Sequence, residues 1–194
     1  MVLGVAGGYC AGKDTVVRIL EEAGLPSIDV DAVGHRALDD ERDAVVREFG
    51  EGVRAVDGSI DRKALGSIVF RDPGALARLE AIVHPRMRDT VAREVTRLGR
   101  SCVINAAILY KMGLHELCDA VICVKAPLLV RLARARSRDG VAAIPALRRM
   151  LAQRGICLKP EGARVDTLTV LNSGSVESLR RLVVALLDAR RADS

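Results

Sequence analysis

Residues 7 to 15 read Gly7-Gly8-Tyr9-Cys10-Ala11-Gly12-Lys13-Asp14-Thr15, the pattern G-x-x-x-x-G-K with an aspartate where a hydroxyl residue is usual. Glycine allows turns that side chains resist, so several backbone N–H groups can be aimed at one point. A helix opening at Lys13 adds its positive N-terminal end, and the lysine ammonium reaches the same point. That combination suits the phosphates of a nucleoside triphosphate, with Lys13 on the β- and γ-phosphates. Gly8, Tyr9, Cys10, Ala11, Gly12, Lys13, Asp14 and Thr15 are the expected nucleotide contacts, Thr15 facing the α-phosphate. An ordinary glycine turn is the plain alternative.

Asp14 departs from the usual pattern. A hydroxyl there ligates Mg²⁺ without repelling phosphate, whereas a carboxylate binds a hard cation more strongly and repels phosphate when the cation is missing. The functional reading makes Asp14 a direct Mg²⁺ ligand; the other reading is a decayed site. A second acidic pair follows in Ile28-Asp29-Val30-Asp31. On a strand, Asp29 and Asp31 would point the same way at the carboxyl edge, where open parallel sheets bind ligands. Asp31 could there accept the proton of an attacking hydroxyl, or serve as a helix N-cap before Ala32.

These residues need elements to hold them. Val2–Ala6 is a short apolar run ending in glycines, a buried strand. Lys13–Ala23 has apolar positions at helical spacing, and Leu25–Val30 is a second strand, which together make a βαβ unit and a parallel sheet. Helices are expected over Ala32–Leu38, Asp43–Phe49, Arg62–Phe70 and Pro73–Leu98, with a turn at Asp57-Gly58-Ser59. Strands return at Ser101–Asn105, Ala120–Val124 and Thr167–Leu171, and helices at Leu128–Arg138, Pro145–Arg154 and Val176–Ala189. The order describes a doubly wound five-stranded α/β domain. Its core comprises about 1–31, 100–137 and 160–194, with a helical insertion over about 32–99 and a small lid over about 138–159.

Composition narrows the function. Aromatic residues are 2% of the 194, with no Trp, so stacking platforms for single-stranded nucleic acid are not expected. A net charge of +5 is spread over mixed-sign stretches, consistent with a solvated surface or a mild field around an anionic substrate. The five cysteines lack metal-ligand spacing, and reduced thiols in a cytoplasmic protein are expected. The opening MVLGVAGGYCAGKD does not read as a signal peptide, and no stretch is apolar enough for a membrane span.

The chain resembles the dephospho-CoA kinases over nearly its whole length. The resemblance rests on GVAGGYCAGKDTV, IDVDAVGH, DGSIDRKALGSIVF, LEAIVHPRM, ARARSRDG and LNSGS. It implies a P-loop kinase fold and transfer of phosphate from ATP, with Mg²⁺, to the ribose 3′-hydroxyl of dephospho-CoA. It further implies Asp31 as general base, with Lys13 and Arg138 as catalytic cations, Arg134 in support and Asp14 at the metal position. Asn172 would contact adenine, and Arg62, Lys63, His84 and Arg86 would meet dephospho-CoA. Arg138 could instead be an exposed helix arginine, and His84-Pro85 a helix break with a capping histidine. Phe70 is expected in the core, and His35 and His115 carry no motif. Departures are the segment Ala107-Ile108-Leu109-Tyr110-Lys111, the absent Asp before Asn172, and a divergent lid in which Arg149 and Gln153 keep their places. Two other readings are a different small-molecule P-loop kinase and a nucleotide-binding pseudoenzyme.

Overall fold

Strand β1 (Val2–Gly7) is buried at every position, as a central strand covered on both faces must be. In this computed structural model, which describes residues 1–192, β1 lies in the middle of a five-stranded sheet of order β2-β3-β1-β4-β5. The others are β2 (Ser27–Asp29), β3 (Cys102–Asn105), β4 (Ala120–Lys125) and β5 (Asp166–Leu171). Every pairing is parallel, with Val5 opposite Asn105 and Gly7 opposite Val124. The helices are α1 (Lys13–Glu22), α2 (Val30–Asp40), α3 (Arg42–Phe49), α4 (Arg62–Val69), α5 (Pro73–Arg97), α6 (Leu128–Asp139), α7 (Ala143–Ala152) and α8 (Val176–Ala192).

The chain divides into two units, Met1–Asp29 with Glu94 onward, and Val30–Arg93. In the first, Val16, Ile19 and Leu20 of α1 and Leu179, Val183 and Leu187 of α8 share one core with Leu3, Val5 and Ile122. On β1, a Cβ at Gly4 would come within 2.7 Å of Leu109 and 2.9 Å of the Cys118 sulfur, so the strand is packed too closely there for a side chain.

In the second unit, Asp57 accepts from the backbone and hydroxyl of Ser59 in the expected turn, which sits between an antiparallel bridge of Arg54 and Ile60. The Ser59 hydroxyl is the main reason the Asp57 carboxyl lies below its ordinary range. Asp61 caps α4, accepting from the Lys63 and Ala64 amides. Pro85 sits inside α5, which continues without a break, so the helix-break alternative for His84-Pro85 is removed.

Three expectations are corrected. Strand β2 covers only Ser27–Asp29, because an edge strand has one partner, and α2 begins at Val30. Asp31 therefore lies in the first turn of a helix, where negative charge is favourable, and the strand alternation with Asp29 does not hold. Phe70 is 83% exposed; it closes α4 beyond the last helical turn, its ring lying along Gly66. Cys123 on β4 and Cys157 beyond α7 are joined by a disulfide, while Cys10, Cys102 and Cys118 are free, so the thiols are not all reduced. The tertiary fold brings together two cysteines 34 residues apart, with no spacing pattern to announce them.

Candidate active site

The loop between β1 and α1 is shaped by three constraints. Gly12 has φ 96°, a left-handed conformation, and a Cβ on it would fall 2.0 Å from Asn172 Nδ2. Gly7 packs against β4, where a Cβ would come within 3.0 Å of the Val124 carbonyl oxygen. Cys10 takes φ 58° despite its side chain, a position where backbone strain is stored. Helix α1 has no side-chain cap, so its first N–H groups are available to an anion.

Side chains from α6 and from the segment after β5 hold the loop's carbonyls outward. Arg131 Nε donates to the Tyr9 carbonyl at 2.7 Å. Arg134 donates to the carbonyls of Cys10 at 3.5 Å and Ala11 at 3.4 Å, and Asn172 Nδ2 donates to the Ala11 carbonyl at 2.9 Å. In a trans peptide the N–H points opposite to its C=O. Pinning the Tyr9 and Ala11 carbonyls outward therefore turns the Cys10 and Gly12 N–H groups inward, which is the geometry of an anion cradle. Lys13, whose side chain is 13% exposed, donates to Asn105 Oδ1 at the end of β3 and lies 3.3 Å from Asp14 Oδ1.

Helices α6 and α7 close over the loop from the β4 side. Gln153 Oε1 accepts from the Tyr9 amide, the Tyr9 ring lies 5.4 Å from the Arg149 guanidinium, and the Tyr9 hydroxyl donates to Asp139 Oδ2 at 2.6 Å. Arg138 donates to Asp139 Oδ1 at 2.7 Å, and its Nη2 lies 3.9 Å from Cys10 Sγ. Arg138, with Tyr9 second, holds the Asp139 carboxyl down at about 2, and the hydrogen bond to Asp139 in turn raises the Arg138 guanidinium. The hydrogen bond to Asp139 likewise raises the Tyr9 phenol. A cavity of about 360 Å³ opens here, bordered by Gly8, Ala11, Lys125, Arg131, Gln153 and Ile156. Arg131 Nη2 is buried beside Gly8 with no hydrogen-bond partner among the described residues, and desolvation lowers its guanidinium from the ordinary value. A larger cavity of about 700 Å³ lies between His115–Asp119 and Pro160–Val165, at the amino ends of β4 and β5 and so at the opposite edge from the loop.

The sequence-derived candidates fall into place unevenly. Gly8 to Thr15, Lys13 and Arg138 come together around the loop. Asn172 is 5% exposed and both ends of its amide are engaged, Nδ2 on Ala11 and Oδ1 on Arg134 Nη2 at 3.1 Å. It braces the loop. Arg134, expected only in support, does the same work. Arg131, Asn105, Gln153 and Asp139 were not singled out as site residues, although Gln153 keeps its place in the lid, Asp139 falls in the ARARSRDG stretch and Asn105 ends a strand at the carboxyl edge. In the second unit, Arg62 pairs with Asp39 at 3.4 Å and Arg86 with Asp40 at 3.0 Å, both at the end of α2. Lys63 is exposed in the first turn of α4, and His84 is half-buried in α5. His35 is exposed, whereas His115 is buried with its ring 5.3 Å from that of Tyr110.

Asp14 is suited to a hard cation. Its carboxylate is 67% exposed in the first turn of α1, next to the lysine expected on the phosphates. The described residues hold no cluster of three or more metal-ligating side chains. A lone exposed carboxylate is a donor of the kind Mg²⁺ takes, one or two carboxylates with water and substrate phosphates completing its shell.

A parallel sheet of this order, with a glycine-turned anion cradle and its lysine between β1 and α1, defines a P-loop kinase. The family model described as dephospho-CoA kinase matches residues 1–177. A dephospho-CoA kinase of Anaeromyxobacter dehalogenans is 39% identical over 92% of this chain and 86% of its own, and one of Geobacter sulfurreducens is 38% identical over 94% of each. Among solved structures, a Thermus thermophilus protein aligns with TM-score 0.80 at 33% identity, covering 97% of both chains. Dephospho-CoA kinase from Campylobacter jejuni aligns with TM-score 0.69 at 25% identity, covering 96% of this chain and 95% of that one. The chain belongs to the dephospho-CoA kinase family.

Proposed function

We propose that the protein transfers the γ-phosphoryl group of ATP to the ribose 3′-hydroxyl of dephospho-CoA, giving coenzyme A and ADP. The observation that carries this reading is the cradle: outward-pinned carbonyls, inward N–H groups, an uncapped α1 and Lys13 define a place for a polyphosphate. Lys13 takes the β- and γ-phosphates, leaving Asn105 as it does so. Arg138, at the end of α6, stabilises charge on the transferring group. Asp14 would hold Mg²⁺, which would neutralise phosphate charge during transfer. Asp31, just beyond the carboxyl end of β2, accepts the proton of the 3′-hydroxyl as it attacks. The acceptor belongs to the helical insertion, about 32–99, with Arg62, Lys63, His84 and Arg86 as its polar contacts. Arg62 and Arg86 would exchange their carboxylates on α2 for the anionic groups of dephospho-CoA. The reaction belongs in the cytoplasm, where ATP is made and used; none of the described helices is long and apolar enough to cross a membrane.

The test is ADP release from protein, ATP and Mg²⁺ with and without dephospho-CoA, with the product identified by mass. Dephospho-CoA-dependent ADP and a product heavier by one phosphoryl group are expected. Intact ATP binding with no such turnover overturns the reading in favour of a nucleotide-binding pseudoenzyme. Turnover with a nucleoside monophosphate alone selects a different small-molecule kinase.

A further inference from the structure

Arg138 lies in the last turn of α6, which ends at Asp139 and is capped by Gly140 in a left-handed conformation at φ 64°, and its side chain is 60% exposed. An arginine so placed has several soft torsions and, left to itself, samples many rotamers. Here it does not stand alone. Its Nε donates to Asp139 Oδ1 at 2.7 Å and its Nη2 to Asp139 Oδ2 at 3.3 Å, a side-on fork on one carboxylate that leaves Nη1 outside the pair. The same Oδ2 accepts the Tyr9 hydroxyl at 2.6 Å, across 130 residues of sequence. Tyr9 is itself part of the phosphate loop, and its amide and carbonyl are held by Gln153 and Arg131. Two hydrogen-bonded links thus fix the guanidinium relative to the loop backbone. Cys10 Sγ lies beneath them, 3.8 Å from Asp139 Oδ2 and 3.9 Å from Arg138 Nη2.

We propose that Asp139 is a positioning residue: anchored by the Tyr9 hydroxyl, its carboxylate aims the Arg138 guanidinium so that the Nη1 edge meets the phosphoryl group in transfer. This rests on the role given to Arg138 above. An ordinary surface ion pair between neighbours in sequence would stabilise little and would have no reason to include a loop residue. The Tyr9 link separates the two, because it ties the arginine to the element that holds the phosphates. Preorganising a cation where charge develops acts on the transition state more than on the bound substrate.

The test is a double-mutant cycle on kcat and KM with Asp139→Ala, Arg138→Ala and the pair, alongside Tyr9→Phe. Asp139→Ala is expected to lower kcat about 30-fold, with the KM for ATP within about threefold, since only the aim of one cation is lost. Adding Asp139→Ala to Arg138→Ala should change kcat no further, because Asp139 acts only through Arg138. Tyr9→Phe, which removes a hydroxyl and nothing else, should lower kcat about fivefold and keeps the proposal open to refutation if Asp139→Ala fails to fold. Multiplying single-mutant losses, or an unchanged kcat in Tyr9→Phe, overturns it. So does an Asp139→Ala protein that melts earlier yet turns over normally per folded molecule. Running the same cycle on ATP hydrolysis, with water as acceptor, keeps this outcome separate from the identity of the acceptor: coupling seen there stands even if dephospho-CoA is not phosphorylated, and its absence there counts against the proposal.

Discussion

Replacing Asn172 with alanine distinguishes a brace from an adenine contact. The side chain is 5% exposed, donates to the Ala11 carbonyl at 2.9 Å and accepts from Arg134 at 3.1 Å. Removing it deletes one neutral hydrogen bond and one to a cation, together about 2–3 kcal/mol. For a chain of this size each kcal/mol lowers the melting temperature by about 2–4 °C, so nucleotide-free Asn172→Ala should melt about 5–10 °C below wild type. Its ATP KM should also rise, because the Ala11 peptide loses the partner that turns the Gly12 N–H inward. A pure adenine contact predicts a raised KM with the apo melting temperature unchanged. Gly12→Ala sharpens the test. Its Cβ would sit 2.0 Å from Asn172 Nδ2, so the asparagine must leave its place and both of its bonds are lost. The left-handed φ of 96° adds about 1–2 kcal/mol. The two substitutions therefore share the Asn172 loss, and the double variant should fall short of the sum by about 2–3 kcal/mol. Thermal melting without nucleotide reads both quantities. An Asn172→Ala protein within about 1 °C of wild type, or strict additivity with Gly12→Ala, refutes the brace.

Three other outcomes follow from the site and its surroundings. Asp31→Asn should cut turnover by about 100-fold or more while ATP affinity stays near wild type, measured by steady-state kinetics and nucleotide titration; comparable loss of ATP binding contradicts the base role. Asp14→Ser should retain activity and flatten the dependence of rate on Mg²⁺ concentration, since phosphate is no longer faced by a bare carboxylate; an inactive protein would mean its neighbours have adapted to the charge. Cys157→Ser should lower unfolding free energy by about 3–4 kcal/mol, the chain-entropy worth of a link across 34 residues. Denaturant unfolding of wild type in excess dithiol should then match the variant, and indifference to the dithiol would count against that link.

Elements governed by local pattern were legible in the residues. The apolar β-branched runs at Val2 and Ala120 became β1 and β4 within a residue or two, because a buried parallel strand needs continuous apolar side chains. The phosphate loop was legible for the same reason: glycines and lysine at fixed spacing encode a backbone shape. Contacts made by distant residues were not. Asn172 meets Ala11 across 161 positions and Lys13 meets Asn105 across 92, and no periodicity announces either. The strand at Leu25–Val30 was read too long because β-branched Val30 favours a strand locally, while an edge strand with one partner gives way to the helix that begins there. Phe70 was misplaced because an aromatic at helical spacing reads as core, yet it falls just past the end of α4.

The disulfide has a topological consequence. Cys123 lies within β4 and Cys157 follows α7, so β4's end, α6 and α7 form a covalent ring closed on the central sheet. A segment anchored at one end only can peel away or fray independently. A segment anchored at both cannot peel away from either end, because its far end returns to the same strand. Arg131, Arg134, Arg138 and Gln153 all ride on that ring. The link therefore ties all four to β4 from both directions along the chain.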